Sequence, residues 1–245
     1  MSIGSIARAA VVAWVVTVVC AAQAQPNAAF RLVVDTLPDH RSVQLLYRES
    51  ITPPLRYRVI VVPGSGCTGM GPVAERYFAG LLHAQVLVLH KPGVDANAGL
   101  NPEPCPSVFT QNDTLSRWME DARAVLHNDA LARATQPVVP QILVGISEGA
   151  ELLAKLAEDV PHLAGLVLLS GSGLDPWEAG EMQAHRQGQL KAWQDLAVVQ
   201  SSNTPDRTLV EGRSLQYWRA LWAWRQSDEL IASRWPILRV WGGAD

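Results

Sequence analysis

From residue 29 onward the chain alternates between two apolar patterns. Short runs of Val, Ile and Leu bounded by Pro, Gly or charged residues predict strands, and stretches with apolar residues three and four apart predict helices. "AFRLVVDTL" and "VQLLYRE" read as two strands joined by the turn-rich "PDHRS". "RYRVIVVPG" and "AQVLVLHKPG" are continuous apolar runs, the mark of strands buried on both faces. Between them, residues 72–84 predict a helix with Val73, Tyr77, Leu81 and Leu82 inward. A turn-rich stretch, 92–113, precedes a long helix from Thr114 to about Ala134, with Leu115, Trp118, Met119, Ala122, Val125 and Leu126 on one side. "PQILVGIS", "LAGLVLLSGSG" and "PILRVWGGAD" are further strands. "EGAELLAKLAEDV" reads as a helix that Pro161 stops, and residues 176–235 are mostly helical and rich in tryptophan. Apolar strands alternating with amphipathic helices predict an α/β fold, a mostly parallel sheet flanked by helices on both faces.

Residues 1–24 stand apart from this core. Arg8 is their only charge, an apolar run from Ala9 to Ala22 follows, and Ala22-Gln23-Ala24 has small residues at the cleavage positions. That is the pattern of a secretory signal cut after Ala24. The run of about 14 residues is shorter than the roughly 20 that span a bilayer, so no stable membrane anchor is expected after cleavage. The expectation is an exported protein, periplasmic or secreted, with a globular domain over 25–245. Removing Arg8 takes the net charge from −3 to −4, too mild to imply nucleic acid or another strongly charged partner. Cys20 leaves with the signal, so Cys67 and Cys105 remain as a possible disulfide in an oxidising compartment.

The stretch "VVPGSGCTGMGP" carries Gly64-x-Gly66-x-x-Gly69, which fits either a dinucleotide pyrophosphate loop or a loop offering backbone N–H groups to an oxyanion. A dinucleotide site needs an acidic residue about 20 positions on, at the end of the next strand. That region reads Leu89-His90-Lys91, with no acid before Asp95. Two strand-like segments also precede the loop, whereas the dinucleotide fingerprint follows the first strand of its fold. An oxyanion loop is the better reading, and a nucleotide-dependent oxidoreductase the weaker one.

The deciding string is Gly145-Ile146-Ser147-Glu148-Gly149, which follows one buried strand and opens a helix. This is the context of a G-x-S-x-G nucleophile elbow, where a strained turn exposes the serine hydroxyl above the sheet. The flanking positions are glycine because side chains there would collide, and the helix N-terminus lends positive potential to a developing anion.

On these residues the chain, from about Ala29 to its last residue, resembles the α/β-hydrolase superfamily. The resemblance implies Ser147 as nucleophile. It implies the backbone N–H of Glu148 and of Ser65, with Gly66 the alternative, as oxyanion donors. Asp245 of "PILRVWGGAD" aligns with the acid, and Asp175 in "SGSGLDP" is the runner-up. The family's histidine is expected past a further strand, and none of His40, His83, His90, His127, His162 or His185 has that chain position. The reading is therefore of a fold whose last strand and helix lie beyond Asp245, with 176–235 a helical lid between the sixth and seventh strands. Trp177, Trp193, Trp218, Trp222, Trp224 and Trp235 would either roof an apolar pocket or pack the lid onto the body. The implied activity is a serine hydrolase acting on a small-molecule ester or related acyl bond, with no cofactor and no metal. The alternative is a non-catalytic binding protein of the same fold, or an inactive fragment lacking the catalytic histidine.

Overall fold

The computed structural model describes residues 29–99 and 104–242. The expected signal, residues 1–24, and Asp245 lie outside the described residues. In chain order, β1 (Arg31–Thr36), β2 (Ser42–Arg48) and β3 (Tyr57–Val62) lead to α1 (Gly71–Phe78) and β4 (Ala84–Leu89). Then come α2 (Ser107–Asn112), α3 (Leu115–Ala132) and β5 (Gln141–Ile146). A 3-10 turn Ser147–Leu152, α4 (Leu153–Leu156) and a 3-10 turn Ala157–Asp159 precede β6 (Leu163–Leu169). An insertion follows, with α5 (Pro176–Arg186), α6 (Leu190–Gln200), the short strands β7 (Leu209–Val210) and β8 (Arg213–Ser214), α7 (Leu215–Ala223) and α8 (Ser227–Ile231). It ends in β9 (Ile237–Val240).

Seven of these strands form one sheet in the order β1-β2-β4-β3-β5-β6-β9. β1 pairs antiparallel with β2, and β2 antiparallel with β4. From β4 to β9 every pairing is parallel. The carboxyl ends of β3, β4, β5, β6 and β9 therefore open on one edge, where an open α/β sheet binds ligands.

The continuous apolar runs are explained by burial on two faces. Ile60, Val62, Leu87, Leu89 and Leu143 point into one cluster with Leu115, Trp118, Met119, Ala122, Val125 and Leu126 of α3. Val59, Val61, Val86, Val88 and Val144 point into the other, with Val73, Ala74 and Phe78 of α1. All six positions expected inward on α3 are buried, and the Thr114 hydroxyl caps that helix by accepting from the Arg117 N–H.

Three local expectations change. The helix expected over 72–84 ends at Phe78, one residue short of Ala79-Gly80, and Phe78 takes the inward place assigned to Tyr77. Tyr77 is 63% and Leu82 45% exposed, because Leu82 now lies in the link to β4. The helix after β5 is wound as 3-10 over its first two turns, Ser147–Leu152, where the chain is pressed against the end of β3. The insertion also contains a hairpin: Glu211 and Gly212 both have positive φ, 49° and 72°, the two-residue turn that matches strand twist.

Candidate active site

At the end of β5, Ser147 has φ of 52°, in the left-handed region that a serine enters only under constraint. The constraint comes from both sides. A Cβ added to Gly145 would lie 2.5 Å from the Ala150 Cα, and one added to Gly149 would lie 2.1 Å from the Pro63 carbonyl oxygen. Only glycine lets the turn fold back on itself and sit against β3. The result leaves the Ser147 side chain exposed on the carboxyl edge of the sheet.

The loop after β3 lies against this turn. A Cβ on Gly64 would be 3.6 Å from the Ser147 Cβ, and Ser65 lines the same cleft as Ser147. Gly66 has φ of 82°, the conformation the Gly-rich string supplies. Gly69 serves packing: an added Cβ would be 2.2 Å from the Asp95 carbonyl oxygen. Cys67 and Cys105 form a disulfide with Cα atoms 5.7 Å apart, tying this loop to the segment before α2. His90 pins its far end. The Met70 N–H donates to Nε2 over 3.0 Å, and Nδ1 faces the Gln44 carbonyl at 3.1 Å. Burial pushes the His90 pKa down to about 4, so the ring is neutral and both nitrogens are engaged. His90 thus has a structural placement rather than a place at the pocket.

Ser147, Ser65 and Glu148 open onto a cleft of about 930 Å³ between the sheet edge and the insertion. On the insertion side Trp193 and Trp218 line it, with Trp222 stacked on Trp193 at 4.6 Å between ring centroids. Gly180 makes room for this stack, since a Cβ there would lie 2.3 Å from Trp193. The tryptophans divide between the two expected roles. Trp224 is buried in the main core and donates its indole N–H to the Glu151 carbonyl over 2.9 Å, and Trp235 packs against the same core. On the far wall lie Arg239 and Trp241, with the Arg239 guanidinium 4.8 Å from the Trp241 ring centre.

Beneath Ser147 is a group of ionisable side chains that the string G-x-S-x-G does not announce. Lys91 Nζ donates to Glu148 Oε2 over 2.8 Å and to Asp113 Oδ1 over 2.7 Å. Arg213 donates to Asp113 Oδ2 over 2.5 Å, and the Tyr217 hydroxyl donates to Glu148 Oε1. Lys91 also sits 4.2 Å from the centre of the Trp118 ring. Burial opposes the charge on Glu148, but Lys91 and Arg213 outweigh it and hold that carboxyl below its ordinary range. Asp113 is shifted the other way, burial outweighing the same cations.

A second acid, Glu151, lines the cleft and is also buried. Burial, with Glu148 and Asp175 as nearby negative charges, pushes its carboxyl up to about 8, and the Gln226 amide donates to it. Asp175, the runner-up acid, is occupied elsewhere. It accepts from the backbone N–H groups of Gln226 at 2.8 Å and Ser227 at 3.0 Å, and from the Ser227 hydroxyl at 3.1 Å. Burial works against its charge, but these bonds prevail and keep it ionised at the start of α8. Asp245 lies outside the described residues. The described lining of the cleft contains no histidine. Among the described residues no group of three or more His, Cys, Asp or Glu is placed to hold a metal ion, and no helix is long and apolar enough to cross a membrane.

No protein-family model and no curated protein matches the chain. Solved structures do resemble it. Est1E from Butyrivibrio proteoclasticus superposes with a TM-score of 0.52 at 14% identity, over 89% of this chain and 79% of that one. Acetyl xylan esterase 1 from Thermoanaerobacterium gives 0.51 at 12% identity, over 86% and 67%. An α/β hydrolase from Novosphingobium aromaticivorans gives 0.44 at 18% identity over 64% of this chain, which spans only 50% of that structure's length. At these identities the likeness is one of fold. The sheet order, the carboxyl-edge cleft and the superpositions on Est1E and the acetyl xylan esterase agree: the chain has the α/β-hydrolase fold.

Proposed function

We propose that the protein is a serine hydrolase that cleaves a carboxylic ester, or a related acyl bond, through an acyl-enzyme on Ser147. The observation that carries this reading is the backbone at Ser147. A serine is held at φ of 52° between two glycines that tolerate no Cβ, and its side chain stands free at the edge of a cleft. Such strain persists only where surrounding structure over-determines it, and it concentrates at reacting residues.

In this reading Ser147 Oγ attacks the substrate carbonyl carbon and passes its proton to a general base. The carbonyl oxygen becomes an oxyanion held by the backbone N–H groups of Glu148 and Ser65. The first N–H groups of a helical turn have no partner within the turn, which makes the Glu148 N–H available. Collapse of the tetrahedral intermediate expels the alcohol, which takes up a proton, and water then releases the acid from Ser147. The superfamily resemblance implies a histidine oriented by Asp245 as that base, and none of the six histidines of this sequence has the chain position for it. β9 pairs parallel with β6, so its carboxyl end at Val240 opens on the same edge as Ser147, which supports Asp245 in that role. The insertion acts as the lid, and its Trp193–Trp222 stack favours bulky or aromatic esters over acetates. The disulfide supports export to an oxidising compartment.

The test is labelling by a fluorophosphonate probe followed by peptide mapping. Adduct on Ser147, absent from Ser147→Ala, with higher kcat/KM on an aryl ester than on an acetate, is the expected result. Equal labelling of Ser147→Ala would overturn the assignment. A folded wild-type protein that takes no label would favour the non-catalytic reading.

A further inference from the structure

The residue after Ser147 is buried among charges for no reason that stability provides. Glu148, Asp113, Lys91 and Arg213 bring two negative and two positive groups into one place with low exposure. Replacing such a set by apolar residues of similar volume is commonly neutral or stabilising, so burial of ions is poor evidence of a stabilising role. What the set does supply is position. The two Glu148 carboxylate oxygens are held from opposite sides, Oε2 by Lys91 from the end of β4 and Oε1 by Tyr217 from α7. Lys91 is itself fixed by Asp113 and the Trp118 ring, and Asp113 is fixed by Arg213 of the hairpin. The Arg213 guanidinium lies 4.5 Å from the centre of the Tyr217 ring, closing the circuit.

We propose that Glu148 is a positioning residue whose carboxylate, clamped between Lys91 and Tyr217, fixes the Ser147–Glu148 peptide so that its N–H faces the oxyanion. The proposal rests on the serine-hydrolase reading of Ser147. One end of that peptide is fixed by the tight turn between Gly145 and Gly149, and the other by a side chain with a partner on each oxygen. A second consequence follows from where the partners sit. Lys91, just past β4, and Asp113, between α2 and α3, belong to the body of the domain, whereas Arg213 and Tyr217 belong to the insertion. The clamp is complete only while the insertion is docked, so docking of the insertion and alignment of the oxyanion donor are one event. An insertion that lifted away would leave Glu148 with Lys91 alone and Asp113 without Arg213. A donor acts on the transition state more than on bound substrate, so a misaligned one lowers kcat rather than raising KM.

The experiment compares the full-length wild type with Tyr217→Phe and Glu148→Gln, neither of which removes volume from the core. Each is checked by circular dichroism and melting temperature. The readouts are kcat and KM on an aryl ester, and the affinity of a trifluoromethyl ketone, which forms a tetrahedral adduct on serine. The expected result for Tyr217→Phe is a fall in kcat of about tenfold, less than the loss of a whole donor, with KM within about twofold. The ketone should weaken by a similar factor. Glu148→Gln keeps the shape but has only one acceptor, so keeping it for Tyr217 turns an amide NH2 toward the Lys91 ammonium, and its kcat should fall at least as far as that of Tyr217→Phe. Unchanged kcat and ketone affinity in both folded variants would remove the clamp while leaving the hydrolase reading intact. An equal rise in KM without loss of kcat or ketone affinity would make it a substrate-binding contact and also overturn the proposal. No Ser147-dependent turnover in the wild type would remove the hydrolase reading and the clamp together.

Discussion

Ser147 offers a test whose sign, not only its size, depends on the backbone. Compare Ser147→Gly with Ser147→Ala. Both remove the hydroxyl, so both should lose labelling, and Ser147 is exposed, so the extra methyl of alanine buries little. They differ in what the backbone costs at φ of 52°. Alanine in the left-handed region carries a penalty of about 1–2 kcal/mol that glycine does not. Glycine loses more conformational freedom on folding, about 0.5–1 kcal/mol. The difference leaves the glycine variant more stable than the alanine variant by about 0.5–1 kcal/mol. For a domain of this length 1 kcal/mol moves the melting temperature by about 2–4 °C, so the glycine variant should melt about 1–4 °C higher. At an ordinary backbone position the same pair would differ by a similar amount in the opposite direction. Thermal unfolding followed by circular dichroism, with guanidinium midpoints as a second measure, reads the order directly. A glycine variant melting at or below the alanine variant would refute the strained turn, and with it the observation on which the functional reading stands.

Two further outcomes follow from the scaffold around the site. The Cys67–Cys105 bridge closes a loop of 38 residues, which the chain-entropy account values at about 4 kcal/mol, so reduction should lower the denaturation midpoint substantially and loosen the Ser65 loop. An unchanged midpoint with both thiols titratable would argue against it. Glu151 makes stability depend on pH, because its folded pKa is raised from 4.5 to about 8. Between those values the unfolded chain releases a proton that the folded chain keeps, so its contribution makes stability fall as pH rises, by roughly 3–5 kcal/mol in all. Glu151→Gln, which still accepts from Gln226, should flatten the profile between pH 5 and 8; the same slope in both proteins would show that Glu151 is ionised in the fold.

How far the sequence could be read depended on how local each feature was. The strands were legible because a parallel sheet buries both faces, so Val59 to Val62 and Val86 to Leu89 leave no polar alternation to interpret. α3 was legible to the residue, since its inward face is set by a regular period over 18 residues. α1 was not, because Phe78 and Tyr77 are neighbours of similar hydrophobicity and only their distance from the sheet decides which is buried. The hairpin at Glu211-Gly212 hid inside an apparently helical stretch. Its turn lacks the Asn-Gly signature, and its two-residue strands are too short to show alternation. Trp224 and Trp193 read alike in sequence but went to the core and the cleft, because that outcome depends on how the insertion folds over the sheet.

The same contrast separates the two layers of the site. The turn at Ser147 is written in five consecutive residues, because a tight turn is a local problem and glycine solves it locally. The clamp on Glu148 draws on Lys91, Asp113, Arg213 and Tyr217, which the chain spreads over more than 120 positions and gathers only by folding. Lys91 in "LHKPG" was its one visible sign: a charge directly after a strand buried on both faces has to find a partner or leave the interior. It finds Glu148 and Asp113, and Asp113 finds Arg213. The residue between the serine and the second glycine is therefore under a constraint of its own. A small or apolar residue there would fold the turn equally well but would leave Lys91 with Asp113 alone and Tyr217 without its acceptor at the floor of the cleft. Glutamate at that position is what lets the body, the turn and the insertion share one set of charges, and it places the link between them on the peptide that borders Ser147.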